Sequence, residues 1–221
     1  MLEAGHEVLE WQRSLARTGD NVVGVVLRHE GPFHVLDHYP KGDVFDPNSH
    51  GQWYYHAHDA KDRPGEHGHF HTFLRGGGMP AGVEPAPLPD RAPEATPQDL
   101  VCHLVALSMD RSGRPIGLFT TNRWVTGETW YAAPDVVAML DRFDMKVDRP
   151  SWSVNRWLSA MLRLFRPQIE DLLHRRDARL RAWQAAHPGV NAYEDRRLEI
   201  PSRLPIDVEA QVRLLEQRLA G

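Results

Sequence analysis

The stretch WYYHAHDAKDRPGEHGHFHTFLR, residues 53 to 75, carries five of the chain's thirteen histidines: His56, His58, His67, His69 and His71, with Glu66 among them. On both sides of Arg63-Pro64-Gly65 the residues alternate between aromatic or aliphatic and histidine. Alternation at period two predicts strands, and Arg-Pro-Gly is turn chemistry. The stretch therefore predicts two adjacent antiparallel strands, over 52–59 and 66–75.

Alternate side chains of a strand share a face, so His56 and His58 go together, as do His67, His69 and His71. Whether the two sets meet depends on register. A four-residue loop, Asp62 to Gly65, with one bulged residue sets His58 near His67 and His56 near His69. A five-residue loop from Lys61 sends the sets to opposite faces. Crowding on one face repels when the rings are protonated and leaves unpaired polar atoms when they are buried and neutral. A divalent metal removes both difficulties. The candidate ligands are thus His56, His58, His67, His69, His71 and His103, the last on a strand of its own where it alternates with Val101 and Val105. Glu66 and His69 are the candidate catalytic residues. Alternation sets His69 at the centre of a row with His67 and His71.

Working outward, residues 2 to 17 place apolar side chains along a helical stripe ended by Gly19. NVVGVVLRH, residues 21 to 29, is β-branched and predicts a strand. HYPKGDVFDPNSHGQ, residues 38 to 52, reads as turns. Residues 76 to 97 contain six prolines and four glycines. They predict a loop without regular structure, able to cover the site as a flap. Residues 100–109 and 115–124 read as strands joined by a hairpin turn at Asp110 to Gly113. From Pro134 the period is helical: a first helix beyond Pro134, another capped by Ser151 or Ser153 and broken at Pro167, a charged helix to Ala186, and a last one capped by Asp207. The prediction is one α+β domain over 1–221, an antiparallel sheet with a histidine-rich hairpin, packed by N-terminal and C-terminal helices, the helical part being 134–221.

Composition narrows the function. A net charge of −4 argues against nucleic acid or an anionic membrane as partner. A single cysteine, Cys102, excludes an internal disulfide and a cysteine-based zinc site. Nothing approaches the roughly 20 apolar residues of a membrane span, and the N-terminus has no apolar signal region. A cytoplasmic protein acting on a small molecule is expected. The turn holding Asn122, Arg123, Trp124, Glu128 and Trp130 sets polar groups beside tryptophans, which suits a pocket rim.

Several signatures can be set against these residues. The patterns HxHxDH and HExxH are absent, and Glu66 lies too far beyond His58 for the common cupin spacing. His67-Gly-His69-Phe-His71-Thr-Phe-Leu74 resembles the histidine-triad motif over eight residues. That resemblance implies attack by His69 on a nucleotide α-phosphate. Tyr55-His56-Ala57-His58 looks like the first metal motif of small DOPA-type extradiol dioxygenases. Over most of its length from Lys41 onward, the chain resembles an uncharacterised family of bacterial proteins, a domain of unknown function. The residues that carry this are GDVFD, QWYYHAHD, EHGHFHTFLR, HLVALSMD, LFTTNRWVTGE and EDRRLEIPSRLPIDVEAQV.

The leading expectation is a mononuclear metalloenzyme, an oxygenase if it holds iron and a hydrolase if it holds zinc. Imidazoles plus the Glu66 carboxylate tilt the choice to iron over zinc or copper. The alternatives are a metal-independent, histidine-triad-like nucleotide hydrolase or transferase with His69 as nucleophile, and a non-catalytic metal-binding protein with every coordination position filled.

Overall fold

The structure, a computed structural model, describes residues 1–88, 96 and 99–221. Its centre is the predicted hairpin: β2 (Gly51–His56) pairs antiparallel with β3 (Gly68–Arg75), His56 opposite His69 and Tyr54 opposite His71. β1 (Tyr39–Phe45) lies outside β2. β4 (Val101–Met109) and β5 (Pro115–Thr120) continue the meander beyond β3, and β6 (Ser202–Pro205) returns from the far end of the chain to pair with β5. All neighbours are antiparallel.

Side-chain alternation divides the sheet into two unlike faces. Trp53, Tyr55, Phe70, Leu74, Leu104 and Leu107 enter a large apolar core. Against that face pack α1 (Leu2–Ala16), α5 (Trp152–Leu164), α6 (Arg166–Ala186) and α7 (Val208–Ala220), which bring in Val8, Trp157, Leu172 and Val212. The fold is α+β, with terminal helices on one side of an open sheet. One polar residue pins the two layers: Asn155 of α5, wholly buried, accepts from the Trp53 indole at 2.7 Å and donates to the carbonyls of Val147 and Arg149 at 2.7 and 2.9 Å. The other face of the sheet carries Tyr54, His56, His69, His71 and Phe119.

The structure corrects several expectations. Residues 21 to 29 form no strand; α2 (Val22–Leu27) occupies them, with the Asn21 side chain capping the Gly24 amide at 2.9 Å. Its valines at 22, 23 and 26 are buried on one side, so a helical stripe and a cap outweigh β-branching. The turn-rich segment before Gln52 is partly strand. β1 bulges between Tyr39 and Val44, with Gly42 and Asp43 at φ +82° and +54°, which an edge strand tolerates. The strand beginning at Pro115 stops at Thr120, and α3 (Arg123–Thr126) follows, capped by Asn122 and closed by Gly127 in the left-handed region. β6 carries no signal of its own: four residues, flanked and ended by proline, at a sheet edge.

In the proline-rich segment, Gly76–Gly78 makes a turn of 3-10 helix, which the loop reading excluded. Residues 79 to 88 hold no helix or strand, and Ala86 donates its amide to the Trp130 carbonyl while Ala86 and Leu88 pack on Trp130's cluster. Residues 89–95 and 97, which the flap expectation also covers, lie outside the described residues. α4 (Ala133–Leu140) begins with Pro134 in its first turn, α6 restarts at Pro167, and Asp207 caps α7 through the Ala210 amide, all as the sequence reads. No helix among the described residues is long and apolar enough to cross a membrane.

Candidate metal centre

The register alone brings the first two histidines together. His56 and His69 are directly opposed across the β2–β3 pair, and their Nε2 atoms stand 2.7 Å apart. His58 lies two residues past the end of β2 and folds back over them, its ring 5.0 Å from His56 and 5.4 Å from His69. One ring nitrogen from each of the three falls within 4.8 Å of the other two. A single ion bonded at about 2.0–2.1 Å to each needs nitrogens roughly 3–3.5 Å apart, so small side-chain rotations close the set.

The protonation pattern suits a cation. Nδ1 of His69 lies 2.6 Å from Glu66 Oε1, and an ionised carboxylate can only accept, so that nitrogen carries the proton and Nε2 presents its lone pair to His56. A carboxylate behind a histidine is the arrangement that orients metal-binding imidazoles. Burial raises the Glu66 carboxyl, while a hydrogen bond from Ser108 and the nearby charge of Arg63 pull it back down. Burial, with His69 and His58 adding repulsion, pushes His56 down to about 2; burial also holds His69 and His71 well below the ordinary imidazole range. Burial lowers His58 too, so these four imidazoles pack without cationic character, and His56, His58 and His69 form a ready donor set.

His71 belongs to the same face but not to the group of three. Its Nδ1 lies 3.0 Å from His103 Nε2, and His103 Nδ1 lies 3.2 Å from the Thr121 hydroxyl. Nε2 of His71 is buried without a hydrogen-bond partner among the described residues, and the His71 ring centre lies 4.8 Å from that of His69. A cation held by the three histidines would relieve that site electrostatically. His103 reaches this face only through a bulge: Thr72 pairs with Val105 but Phe73 pairs with His103, so Leu104 and Val105 both turn to the apolar core. The simple alternation of His103 with Val105 is therefore corrected, and His103 stands behind His71 rather than beside the three-histidine group.

His67 is the clear departure. β3 starts at Gly68, where an added Cβ would lie 2.5 Å from both the His56 carbonyl and the Tyr55 hydroxyl. The chain turns before the strand begins, and His67 Nδ1 meets the Tyr55 hydroxyl at 2.6 Å, its ring near Phe33. The row of His67, His69 and His71 does not exist.

A cleft of about 920 Å³ opens beside His58, which lines it while His56 and His69 lie buried behind. His58, Glu66, Ser108 and Phe119 form its inner wall, and the segment around Leu198 to Ile200 together with β6 forms the outer one. Arg63 reaches across, its guanidinium 5.0 Å above the Phe119 ring and 2.5 Å from Glu199. Ser108, Phe119, Glu199 and Arg203 lie in the runs that carry the family resemblance, but no spacing in the sequence marks them as one site; the sheet order assembles them. The turn read as a pocket rim is mostly structural. Asn122 donates to the Ala192 carbonyl, the Trp124 indole to Leu198, and Trp130 packs with Leu180 and Leu198. Glu128 accepts from the His103 amide at 2.7 Å, and burial raises its carboxyl to about 7.

A family model matches residues 2–206 of the chain, and the protein belongs to that family, described as a domain of unknown function (DUF6969). No curated protein and no solved structure matches the chain.

Proposed function

We propose that this member of a domain family of unknown function is a mononuclear metal-dependent enzyme, with His56, His58 and His69 as ligands and Glu66 as the positioning residue that fixes the tautomer of His69. One observation carries the reading: two opposed Nε2 atoms at 2.7 Å with a third histidine nitrogen within 4.8 Å, at the wall of an open cleft. Structural metal sites are closed by four protein ligands, whereas catalytic ones keep a position for water or substrate. Three protein ligands leave a fourth position open, and His58 among them lines a cleft; this supports the second kind and weighs against a filled, non-catalytic site.

The donor set is all imidazole, which suits zinc, copper or iron. The Glu66 carboxylate is engaged by His69, which removes the mixed imidazole-plus-carboxylate set that favoured iron. We therefore favour zinc and a hydrolytic reaction, in which the ion would supply Lewis acidity and an activated water. The chain's own groups bind and orient: Phe119 packs edge-on against His69 at 5.0 Å and excludes water from its ring, while Arg63 and Ser108 hold Glu66 in place. The histidine-triad reading fares worse, because both nitrogens of His69 are engaged and its ring is 1% exposed.

Titration of the chelator-treated protein with Zn²⁺, and anaerobically with Fe²⁺, tests this by calorimetry. One ion per chain is expected, lost in His56→Ala and in His58→Ala but kept in His67→Ala. Uptake that survives His58→Ala unchanged, or no uptake of any divalent ion, overturns it.

A further inference from the structure

Two arginines of the cleft have no carboxylate to answer them among the described residues. Of the four that line it, Arg63 is paired with Glu199, and Arg197 with Asp195 at 2.6 Å. Arg203, on β6, and Arg179, on α6, meet no carboxylate among the described residues; the Arg179 guanidinium lies 5.1 Å over the Trp183 ring. Placement makes Arg203 informative. It stands directly opposite Phe119 in the β5–β6 pair, so it projects from the face that carries the histidines. The next row of that face runs His69, Ser108, Gly117, and Gly117 has no side chain to block the way. The cleft is thus lined by the His58 imidazole, by apolar Phe119 and Leu198, and by the guanidinium-bearing Arg203 and Arg179, which no carboxylate among the described residues answers.

We infer that the cleft binds a small organic anion, one whose carboxylate or phosphate is held by Arg203 and Arg179 while its apolar body lies over Gly117 toward the histidines. This deepens the reading of the site as an enzyme's and names its substrate class. Arginine suits the role because its planar fork matches a two-oxygen anion. Three strand spacings separate His69 from Arg203, roughly 14 Å between backbones. The arginine side chain covers part of that span, so the anionic group and the reacting end of the ligand lie on the order of 10 Å apart, the size of a small aromatic or aliphatic acid. The volume of about 920 Å³ accommodates such a molecule.

The probes are 3-phenylpropionate and phenylphosphonate against the neutral, equally shaped 3-phenylpropanamide, with dissociation constants measured by calorimetry on the full chain, both metal-loaded and chelator-treated. Either anion should bind at least about tenfold more tightly than the amide, and Arg203→Ala and Arg179→Ala should each weaken the anion by about tenfold while sparing the amide. Both arginines are exposed, so these variants keep the fold; Arg213→Ala on α7, remote from the cleft, should change nothing. Gly117→Val should reduce binding of all three probes, since its Cβ finds ordinary contacts of 3.4 Å or more and fills the floor without forcing the strands apart. Equal binding of amide and anions, or an anion preference that survives the double arginine change, overturns the assignment. Anion binding seen only with metal and indifferent to the arginines overturns it too, because the ion would then be the anion's partner. An arginine-dependent preference in protein that takes up no metal upholds the anion site while removing the metalloenzyme reading.

Discussion

Acidification should unfold the metal-free protein steeply, and the histidine-bearing face sets the slope. His56, His69, His71 and His103 are all buried, and burial holds each pKa down, to about 2 for His56 and about 3 for His103 and well below the ordinary range for the other two. In the unfolded chain each titrates near the ordinary 6.5. A lowered folded value means the unfolded state binds more protons below 6.5, so stability is intact above that pH and lost as the pH falls beneath it. Each group contributes about 1.4 kcal/mol per pH unit, so at pH 5 the four together cost about 8 kcal/mol. Glu128 works in the opposite sense. Its folded carboxyl is raised to about 7 from 4.5, so the folded state holds a proton the unfolded state has released, and stability returns as the pH falls through that window. Down to pH 5 it restores about 3 kcal/mol, leaving a net loss of about 5. That is comparable with the whole stability of many domains, about 5–15 kcal/mol. Urea unfolding with a chelator present, at pH 7, 6 and 5, followed by tryptophan fluorescence, measures the slope directly. In His103→Gln the slope should fall by the share of one group, whatever that change does to stability at pH 7. A stability that stays level or rises between pH 7 and pH 5 would show that these rings are not held neutral, and the reasoning would fail.

Other expectations are more local. Glu66→Gln should weaken metal binding by about tenfold to a hundredfold while leaving the unfolding midpoint of the metal-free protein nearly in place, because the carboxylate acts behind the ligand; an unchanged affinity would remove Glu66 from the site. Asn155→Leu strands the Trp53 indole and two carbonyls in the core, and at about 1–3 kcal/mol for each unsatisfied group it should cost several kcal/mol in chemical denaturation; a loss under about 1 kcal/mol would mean those bonds are not made. Gly68→Ala drives a Cβ into the His56 carbonyl and the Tyr55 ring, so amide exchange across β2 and β3 should accelerate and metal affinity should fall; protection equal to the parent protein's would refute the close packing seen there.

How far the sequence reached can be followed residue by residue. Alternation and turn chemistry are local, so the hairpin was legible in residues 53 to 75; its register was not, since two loop lengths fit the sequence, and the structure joins His56 with His69. The helix caps at Pro134 and Asp207 were legible too. Features that depend on a partner far along the chain were not. His67 looked like a ligand because its spacing to His69 is even, yet spacing says nothing about where the strand starts, and Gly68 is that start. His103 shares the histidine face only because the bulge opposite Thr72 and Phe73 absorbs one residue. α2 had the composition of a strand and was decided by the Asn21 cap and by the core it covers.

The least legible element turns out to shape the site most. β6 is four residues long, and nothing in Ser202 to Pro205 marks it as a strand. Once it pairs with β5, however, it sets Arg203 opposite Phe119, and Phe119 already packs on His69. The chain between α6 and β6 then brings Leu198 and Glu199 over the same cleft, with Glu199 binding Arg63 from the loop between β2 and β3. The histidines come from a local hairpin, while the cavity that His58 lines needs contacts between residues separated by well over a hundred positions, Arg63 and Glu199 among them. A long-range edge strand forms late and opens easily compared with a central hairpin. Metal uptake and substrate enclosure should therefore be separable: changes in β6 such as Leu204→Asp should abolish anion binding while the three histidines still take up one ion per chain.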